Sequence, residues 1–305
     1  MLTKFSARKL RYFPVVIFFF TIFCMEAGSS EAEIMPVEDI ATMRDGIRLA
    51  ADIYKPKGDG PWPVIMTRTP YLKSWEPFSI MASYYTETGF VVVVQDVRGK
   101  GKSEGQYKPY YPDKEDGYDS IEWAANRPWS NGKIGISGIS AMGTTANLAA
   151  SAAPPSLKAA YSKVAPHLRF EEATFVGGVF KQSHSGGWMI EQGVEDQIPA
   201  LKRRVVWDEE WEGYDIGRHL HKVRVPIYND GGWYDIFSYG NIRNFMYLQN
   251  FGAPGVKGRQ KLSMGPYGHG PLSGGLEYPG NDEFETKPNR EEIRWFNYWL
   301  KGEDN

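Results

Sequence analysis

The sequence predicts an α/β fold, with a mostly parallel β-sheet, helices on both faces and an inserted helical cap. Candidate strands and helices alternate over residues 37–164, which is typical of a parallel sheet covered by its crossover helices. The run Phe-Val-Val-Val-Val-Gln-Asp at 90–96 is rich in β-branched residues, as expected for a strand covered on both faces. The alternation stops at residue 166 and resumes at residue 223, which predicts an insertion between two parts of the fold.

Turn and breaker residues bound the first elements. Asp45-Gly46 separates the first two strands, Pro70 ends the third strand, and Gly89 ends the first helix. The predicted elements are strands at residues 37–43, 47–54 and 63–69, a helix at 77–88 and the strand at 90–96.

The later elements continue this alternation around the insertion. Apolar residues Ile121 and Trp123 give the second helix a face for the core. Residues 133–143 indicate a strand, a sharp turn and the start of a helix, and an aromatic and charged segment at 166–220 predicts the cap. The remaining predicted elements are a helix at 113–126, strands at 158–164, 223–228 and 260–264, and a last helix at 290–301.

The N-terminal segment differs from the rest, and residues 1–32 are predicted to be a secretory signal peptide. Four basic residues between positions 4 and 11 precede an apolar stretch at 13–25, and small residues follow. The apolar stretch is shorter than the roughly 20 residues that span a bilayer. A secreted or periplasmic protein is therefore expected, with an uncleaved membrane anchor as the alternative. The other predicted parts are a first core part at 33–165, the cap at 166–222 and a second core part at 223–305.

Composition and charge exclude several classes of protein. The sole cysteine, Cys24, lies in the predicted signal peptide, so the processed chain offers no disulfide, thiolate metal site or cysteine nucleophile. The 35 basic and 37 acidic residues give a net charge of −2, which does not favour binding to nucleic acid or to an anionic membrane surface.

Two motif fragments fail the tests for a cofactor or a metal ion. Gly99-Lys100-Gly101-Lys102-Ser103 resembles the end of a phosphate-binding loop, but Asp96 stands where that pattern requires a glycine. His219 and His221 are two positions apart, and no third ligand stands at an obvious spacing. Neither a cofactor nor a metal site is predicted.

The segment 133–143 places a serine at a turn between a strand and a helix. This is the layout of a nucleophile elbow, in which a strained turn holds a hydroxyl clear of the backbone at the top of a sheet. Ser140 lies at the end of the strand candidate, beside the small residues that a tight turn needs. Ser137 is the rival, because neither serine meets the strict Gly-x-Ser-x-Gly pattern. Ser137 lies inside the strand candidate and not at its end, so Ser140 is favoured as the nucleophile.

A serine nucleophile needs a base and an acid that orients the base. In hydrolases with such an elbow the acid follows the serine along the chain and the histidine comes last. Of the five histidines, His269 alone follows a late strand, in a glycine-rich loop, and the other four are expected to be surface or satisfied cap residues. Asp230 and Asp235 both follow the preceding strand, and spacing does not choose between them.

Seven short motifs occur in a fixed order over roughly residues 36–305. They are Arg68-Thr69-Pro70-Tyr71, Gln95-Asp96-Val97-Arg98-Gly99 with Ser103-Glu104-Gly105, Trp129-Ser130-Asn131-Gly132-Lys133, the Ser140 elbow, Gly232-Trp233-Tyr234-Asp235, Gly265-Pro266-Tyr267-Gly268-His269 and Arg294-Trp295-Phe296-Asn297-Tyr298-Trp299-Leu300-Lys301-Gly302. Each motif alone is modest. Together and in this order, they resemble the cocaine-esterase-like (CocE/NonD) hydrolases, which are grouped with the X-Pro dipeptidyl-peptidases.

The resemblance implies an α/β-hydrolase fold and a set of site residues. It implies that Ser140 is the nucleophile, Asp235 the acid and His269 the base. It also implies an oxyanion hole formed by the phenolic hydroxyl of Tyr71 and the backbone N–H of Ala141. One such donor typically contributes about 3–4 kcal/mol to the stability of the transition state.

Three features depart from the family pattern. Ala141 stands where the family commonly has an aromatic residue, which predicts a wider acyl pocket while keeping the backbone N–H. Ile236 and Phe237 follow Asp235, whereas α-amino acid ester hydrolases of the group carry extra carboxylates there for a substrate ammonium. The C-terminal jelly-roll domain that full-length relatives carry is expected to be absent, because this sequence stops at Asn305.

These observations predict an exported serine hydrolase that cleaves a small ester, amide or peptide through an acyl-enzyme. The alternative is a truncated, non-catalytic binding protein that kept the fold. Within the hydrolases, an acyl esterase and an X-Pro dipeptidyl-peptidase differ in whether the cap holds an amine, for which Glu171, Glu172 and Glu191 are candidates.

The last predicted helix carries more apolar surface than a solvated helix needs. The sheet, a missing C-terminal domain or a second copy of the chain is expected to cover this surface. The residues concerned are Ile293, Trp295, Phe296, Trp299 and Leu300.

Overall fold

An eight-stranded, mostly parallel sheet forms the centre of the fold. The computed structural model describes residues 34–217, 219–270 and 290–305, so the predicted signal peptide and Cys24 lie outside the described residues. The strand order is β1-β2-β4-β3-β5-β6-β9-β10, with β1 and β2 antiparallel to their neighbours and the other pairs parallel. The strands of this sheet are β1 Val37–Thr42, β2 Arg48–Tyr54, β3 Trp62–Thr69, β4 Val91–Asp96, β5 Ser130–Ile139, β6 Leu157–Lys163, β9 Ile227–Gly232 and β10 Lys261–Gly265.

Helices cover both faces of the sheet, as predicted. Along β4, Val91 and Val93 face an apolar cluster with the helices at 113–125, 141–151 and 238–251. Val92 and Val94 face a second cluster with the helices at 76–87 and 290–296. Alternate side chains point to opposite faces, so a strand covered on both sides needs apolar residues throughout. The helices are α1 Glu76–Glu87, α2 Asp113–Ala125, α3 Ala141–Ser151, α4 Gly187–Glu191, α5 Ile198–Arg203, α6 Glu209–Glu212, α7 Ser238–Phe251 and α8 Arg290–Phe296.

The structure differs from the sequence prediction on both sides of Asp235. Strand β9 lies four residues later than predicted, because its pairing with β6 begins only at Ile227, after Pro226. Helix α7 was not predicted at all. Ile242, Phe245 and Met246 stand at helical spacing in the sequence, but they are not the residues that the helix buries. The buried positions hold mostly small or amide residues. These residues are Gly240, Asn241, Asn244 and Leu248.

Between β6 and β9 the chain leaves the sheet and forms the inserted segment. It contains the short helices α4, α5 and α6, π-helical turns at Arg169–Thr174 and Gln182–Gly186, and a small hairpin of β7 (Phe175–Val176) and β8 (Val179–Phe180). The hairpin was not part of the predicted helical cap. The segment belongs to the same compact unit as the sheet, Ile34–Asn305, and its boundaries at 166 and 222 stay a prediction.

Helix α8 and the π-helical turn Asn297–Lys301 that follows it pack most of their apolar surface on the sheet. Trp295, Phe296 and Leu300 are buried in the cluster with α1, and the Trp295 indole donates to the Ala160 carbonyl at 3.0 Å. Tyr298 remains 48% exposed. The sheet therefore covers most of the apolar surface for which a partner was predicted. Cover of this surface by a second copy or a further domain stays a prediction. Among the described helices, none has the length and hydropathy needed to cross a membrane.

Candidate active site

Ser140 occupies a strained turn between β5 and α3. Strand β5 ends at Ile139, Ser140 has φ 57° and ψ −118°, and α3 begins at Ala141. A non-glycine residue with positive φ is strained and persists only where its surroundings hold it. A side chain at Gly138 would place its Cβ 2.2 Å from the backbone of Met142, so this turn closes only with glycine there.

Two hydrogen bonds connect Ser140 to a histidine and an aspartate from distant parts of the chain. Ser140 Oγ lies 2.7 Å from His269 Nε2, and His269 Nδ1 lies 2.7 Å from Asp235 Oδ2. The Asp235 side chain is fully buried and the His269 side chain is 26% exposed. A carboxylate accepts the Nδ1 proton, which leaves the Nε2 lone pair facing the serine hydroxyl. The structure thus brings together the three residues that the resemblance implied.

The structure distinguishes between Asp235 and Asp230, the two candidates for the acid that orients the histidine. Asp235 follows β9, and its second oxygen accepts the backbone N–H of Phe237 at 2.6 Å, which fixes the carboxylate. Asp230 lies inside β9 and accepts the hydroxyls of Tyr161 at 2.9 Å and Tyr267 at 2.5 Å. Because Tyr267 is two residues before His269, Asp230 anchors the loop that carries the histidine.

Ser137, the rival serine, lies in the interior of the fold. It belongs to β5, and its buried hydroxyl donates to Glu292 of α8, which also accepts the hydroxyl of Tyr85. Burial raises the pKa of Glu292. Ser137 therefore takes part in a buried polar cluster between β5 and the last helix, and it does not face the pocket beside Ser140.

The two implied oxyanion donors lie at the N-terminus of α3 and after β3. As the first residue of α3, Ala141 has a backbone N–H that no helical carbonyl can accept. The Tyr71 hydroxyl accepts the indole N–H of Trp188 at 2.9 Å, so its own proton is available for another acceptor. Burial raises the pKa of Tyr71, which keeps that proton on the oxygen.

A small cleft lies beside Ser140, with a cavity volume of about 30 Å³. Its walls include Tyr110, Trp188 and Phe237, and Arg169 and His184 add polar groups. Sequence reasoning missed these residues as site residues, because most come from the inserted segment and no spacing connects them with Ser140. Within the described residues, the lining contains no aspartate or glutamate, and no cluster of side chains suited to a metal ion occurs.

His184 differs from the sequence expectation of a surface or satisfied cap histidine. Its ring lies 6.1 Å from that of His269 and 5.3 Å from that of Phe237, in the wall of the cleft. Burial lowers the pKa of His184 to about 4, so it is neutral near pH 7 and adds no positive charge beside His269. His167 and His219 fit the expectation, since they bond to the Asn244 side chain and the Glu212 carbonyl.

The three glutamates considered as amine partners lie outside the cleft lining. Glu171 pairs with Arg243 at 3.1 Å, and Glu172 accepts the backbone N–H of His167 at 2.9 Å. Glu191 is exposed on α4. None of the three is part of the cleft lining beside Ser140, and of the three only Glu191 has a charge that acts on the Tyr71 hydroxyl.

Asp215 makes the stability of the folded chain depend on pH. Burial raises the pKa of Asp215 from 3.8 to about 7. Because the folded state holds this proton more tightly, the carboxyl contributes stability below about pH 4 that is lost as the pH rises to about 7. Asp215→Asn should remove this loss, which is on the order of 4 kcal/mol for a shift of this size.

Urea unfolding near pH 4 and near pH 7 measures this effect. Asparagine keeps an acceptor for the backbone N–H of Arg169, which bonds to Asp215 in the native fold. The control is Asp59→Asn at an exposed carboxyl, which should keep the wild-type dependence on pH. The same dependence in Asp215→Asn and wild type would contradict the assignment.

The eight-stranded sheet, the strained serine turn and the Ser–His–Asp arrangement define an α/β-hydrolase. Residues 45–209, more than half of the chain, match the family model for X-Pro dipeptidyl-peptidase (S15 family). The chain belongs to this family.

Individual relatives agree with this family and extend the match along the chain. The cocaine esterase of Rhodococcus sp. (strain MB1 Bresler) is 28% identical over 76% of this chain and 48% of its own length. A putative Xaa-Pro dipeptidyl-peptidase of Bacillus anthracis is 24% identical over 73% of this chain and 40% of its own length. The chain thus spans about half the length, or less, of these curated relatives.

Solved structures support the fold. The crystal structure of a CocE/NonD family hydrolase from Staphylococcus aureus superposes with a TM-score of 0.71 at 24% identity. The match covers 88% of this chain and 51% of the other. At this identity the likeness supports the α/β-hydrolase fold and says nothing of substrate.

Proposed function

We propose that this protein is an exported serine hydrolase that cleaves an ester or amide through an acyl-enzyme. The observation that carries the proposal is the pair of 2.7 Å contacts from Ser140 Oγ to His269 Nε2 and from His269 Nδ1 to Asp235 Oδ2. Serine becomes a competent nucleophile when a neighbouring base takes its proton and a third group orients that base.

In the acylation step, Ser140 Oγ attacks the substrate carbonyl while His269 Nε2 takes the hydroxyl proton. The buried Asp235 carboxylate holds the Nδ1 proton and stabilises the imidazolium that forms. His269 then gives the proton to the leaving alcohol or amine as the bond to the carbonyl carbon breaks. An acyl group remains on Ser140.

Deacylation repeats these steps with water as the nucleophile. His269 takes a proton from the water molecule while the water oxygen adds to the acyl carbonyl. His269 then gives this proton to Ser140 Oγ as the carboxylic acid product leaves. In both steps negative charge develops on the carbonyl oxygen. The Tyr71 hydroxyl and the Ala141 N–H are the proposed donors to this oxygen.

An esterase or acyl hydrolase is favoured over an Xaa-Pro dipeptidyl-peptidase. A dipeptidyl-peptidase must hold a substrate ammonium, and the described lining of the cleft offers no carboxylate for it. A panel of aryl esters and Xaa-Pro anilides tests this preference, and we expect turnover of the esters. Efficient cleavage of the anilides alone would reverse the choice.

Covalent labelling of the wild-type protein by a fluorophosphonate tests the proposed class of enzyme. An activated serine attacks the probe phosphorus, the serine proton passes to the histidine and fluoride leaves. Each active site therefore gains the mass of the probe less that of HF. A folded wild-type protein that gains no probe would overturn the proposal.

The Tyr71 hydroxyl is expected to contribute to turnover as an oxyanion donor. Tyr71→Phe removes the hydroxyl and keeps the ring, so kcat should fall about 10²–10³-fold with little change in KM. Steady-state kinetics with an aryl ester measures both constants. Tyr118→Phe, on α2 where the ring lies under Arg44, is the matched control, and a kcat of Tyr71→Phe equal to that of the control would exclude this role.

Export is proposed from the sequence pattern of residues 1–32. The basic start, the short apolar stretch and the small residues that follow support it. Fractionation of cells that express the chain with and without residues 1–32 tests the proposal. The full chain should appear outside the cytoplasm with a processed N-terminus, and retention of both forms in the cytoplasm would exclude it.

A further inference from the structure

A buried arginine lines the cleft beside the proposed nucleophile. Arg169 is the first residue of the π-helical turn Arg169–Thr174, and it is 8% exposed. An arginine side chain stays positively charged in a protein. Burying such a charge is costly unless hydrogen bonds or an opposite charge offset the lost solvation.

The contacts of Arg169 fix its position and leave part of its hydrogen-bonding capacity unused. Nη1 donates to the Pro109 carbonyl at 2.9 Å, and the guanidinium lies 4.4 Å from the ring centre of Tyr110 and 5.3 Å from that of Tyr214. In residues 34–217, 219–270 and 290–305, no carboxylate lies within ion-pair distance of this guanidinium. A guanidinium has five N–H donors, so most of them remain for a ligand in the cleft.

The nearby carboxyl of Asp215 does not provide the missing ion pair. One of its oxygens accepts the backbone N–H of Arg169, and the other has no hydrogen-bond partner among the residues that the structure describes. Burial raises the pKa of Asp215 to about 7, so near neutral pH this carboxyl carries only part of its negative charge. Asp113, the other buried carboxyl whose charge interacts with Arg169, pairs with Arg68 at 2.9 Å. Neither carboxyl therefore forms an ion pair with the Arg169 guanidinium.

The tyrosine rings orient the guanidinium instead of neutralising it. Arginine stacks on aromatic faces and presents a planar fork that matches a carboxylate with two parallel hydrogen bonds. Tyr110 in turn stacks on Trp188 with ring centres 5.6 Å apart, and Trp188 donates to Tyr71. One connected set of side chains thus holds both Arg169 and a proposed oxyanion donor.

We infer that Arg169 forms an anionic subsite, and that the enzyme prefers esters or amides whose acyl or leaving group carries a carboxylate. The inference rests on the proposed function, because it assigns the substrate class of that same cleft. The absence of the three glutamates from the lining agrees with this inference, because the Arg169 guanidinium would repel a substrate ammonium in this cleft.

Two pairs of matched esters test the inference. In the first pair, the mono-4-nitrophenyl ester of glutarate is compared with 4-nitrophenyl pentanoate, so that the carboxylate is on the acyl side. In the second pair, the butyrate ester of 4-hydroxybenzoate is compared with that of 4-hydroxybenzamide, so that it is on the leaving group. We expect kcat/KM to favour the carboxylate by roughly 10- to 100-fold in at least one pair, as for a hydrogen-bonded buried charge.

Substitution of Arg169 should remove this preference. In Arg169→Met the ratio of kcat/KM within the preferred pair should fall to about 1, and Arg169→Lys should keep part of it, because lysine retains the charge without the fork. The matched control is Arg243→Met, which removes a guanidinium that pairs with Glu171 outside the described cleft lining. This control should keep the wild-type ratio.

A binding measurement separates failure of this inference from failure of the proposed function. Calorimetry with Ser140→Ala should detect glutarate and not glutaramide, and Arg169→Met in the same background should abolish binding of glutarate. Ester turnover with equal rates within both pairs, or a ratio unchanged by Arg169→Met, would overturn the subsite while leaving the hydrolase intact. Absence of both fluorophosphonate labelling and turnover would overturn the hydrolase, and binding of glutarate would then decide the subsite alone.

Discussion

Ser140→Ala is expected to lower kcat by about 10⁶-fold and to abolish labelling by a fluorophosphonate. The substitution removes the oxygen that bonds to His269 Nε2 at 2.7 Å and keeps the small side chain that the turn allows. His269 and Asp235 cannot form an acyl-enzyme without the Ser140 hydroxyl. The loss in kcat should therefore match the loss caused by removing the whole triad. Intact-protein mass spectrometry after labelling, and initial rates with an aryl ester, measure the two effects.

Ser137→Ala is the matched control for this experiment. It removes a hydroxyl from the same strand, but that hydroxyl donates to Glu292 in the interior. Stability should fall by about 1–3 kcal/mol because a buried acceptor loses a donor, while labelling persists. Labelling of Ser140→Ala to the wild-type extent would assign the nucleophile elsewhere, and an unlabelled, folded wild type would favour the non-catalytic binding protein.

Asp235→Asn is expected to lower kcat by about 10⁴-fold with little change in the fold. Asparagine has nearly the same shape, so the backbone N–H of Phe237 keeps an acceptor at this position. The amide cannot stabilise the imidazolium, and it favours the tautomer of His269 with the proton on the wrong nitrogen. Both the turnover of an aryl ester and the rate of fluorophosphonate labelling should fall.

Asp230→Asn distinguishes the acid from its rival. Asp230, inside β9, accepts the hydroxyls of Tyr161 in β6 and of Tyr267 in the loop before His269, and the imidazole bonds to Asp235 instead. We expect lower stability, and a loss in kcat of less than about tenfold, since a supporting hydrogen bond typically contributes about 1 kcal/mol. A large loss in Asp230→Asn together with near-normal turnover in Asp235→Asn would reverse the assignment.

The regular part of the fold was predictable because local patterns carry it. The valine run of β4, the breakers at Asp45-Gly46 and Gly89, and the small residues around Ser140 each have a physical cause within a few positions along the chain. The buried face of helix α7 was not predictable in this way, since Asn241 and Asn244 are buried through contacts that only the folded chain supplies. The same applies to β9, whose pairing with β6 and β10 decides where it begins.

The active site also contains residues that the sequence predicted and residues that it did not. Position along the chain favoured Ser140 and His269, and the family resemblance added Asp235, Tyr71 and Ala141. The walls of the cleft had no comparable signal, because Arg169, His184 and Trp188 come from an inserted segment with short, irregular elements. Their spacing in the sequence says nothing about which of their side chains face the serine.

By itself, the sequence determined the class of fold, the serine turn and the order of the serine and histidine along the chain. These features follow from alternation, glycine placement and chain order, which act locally. The tertiary structure decided that Asp235 and not Asp230 meets the imidazole, that Ser137 is interior, and that a buried guanidinium lines the cleft. Those outcomes depend on where strands pair and how an inserted segment packs, so contacts between residues far apart in the sequence set them.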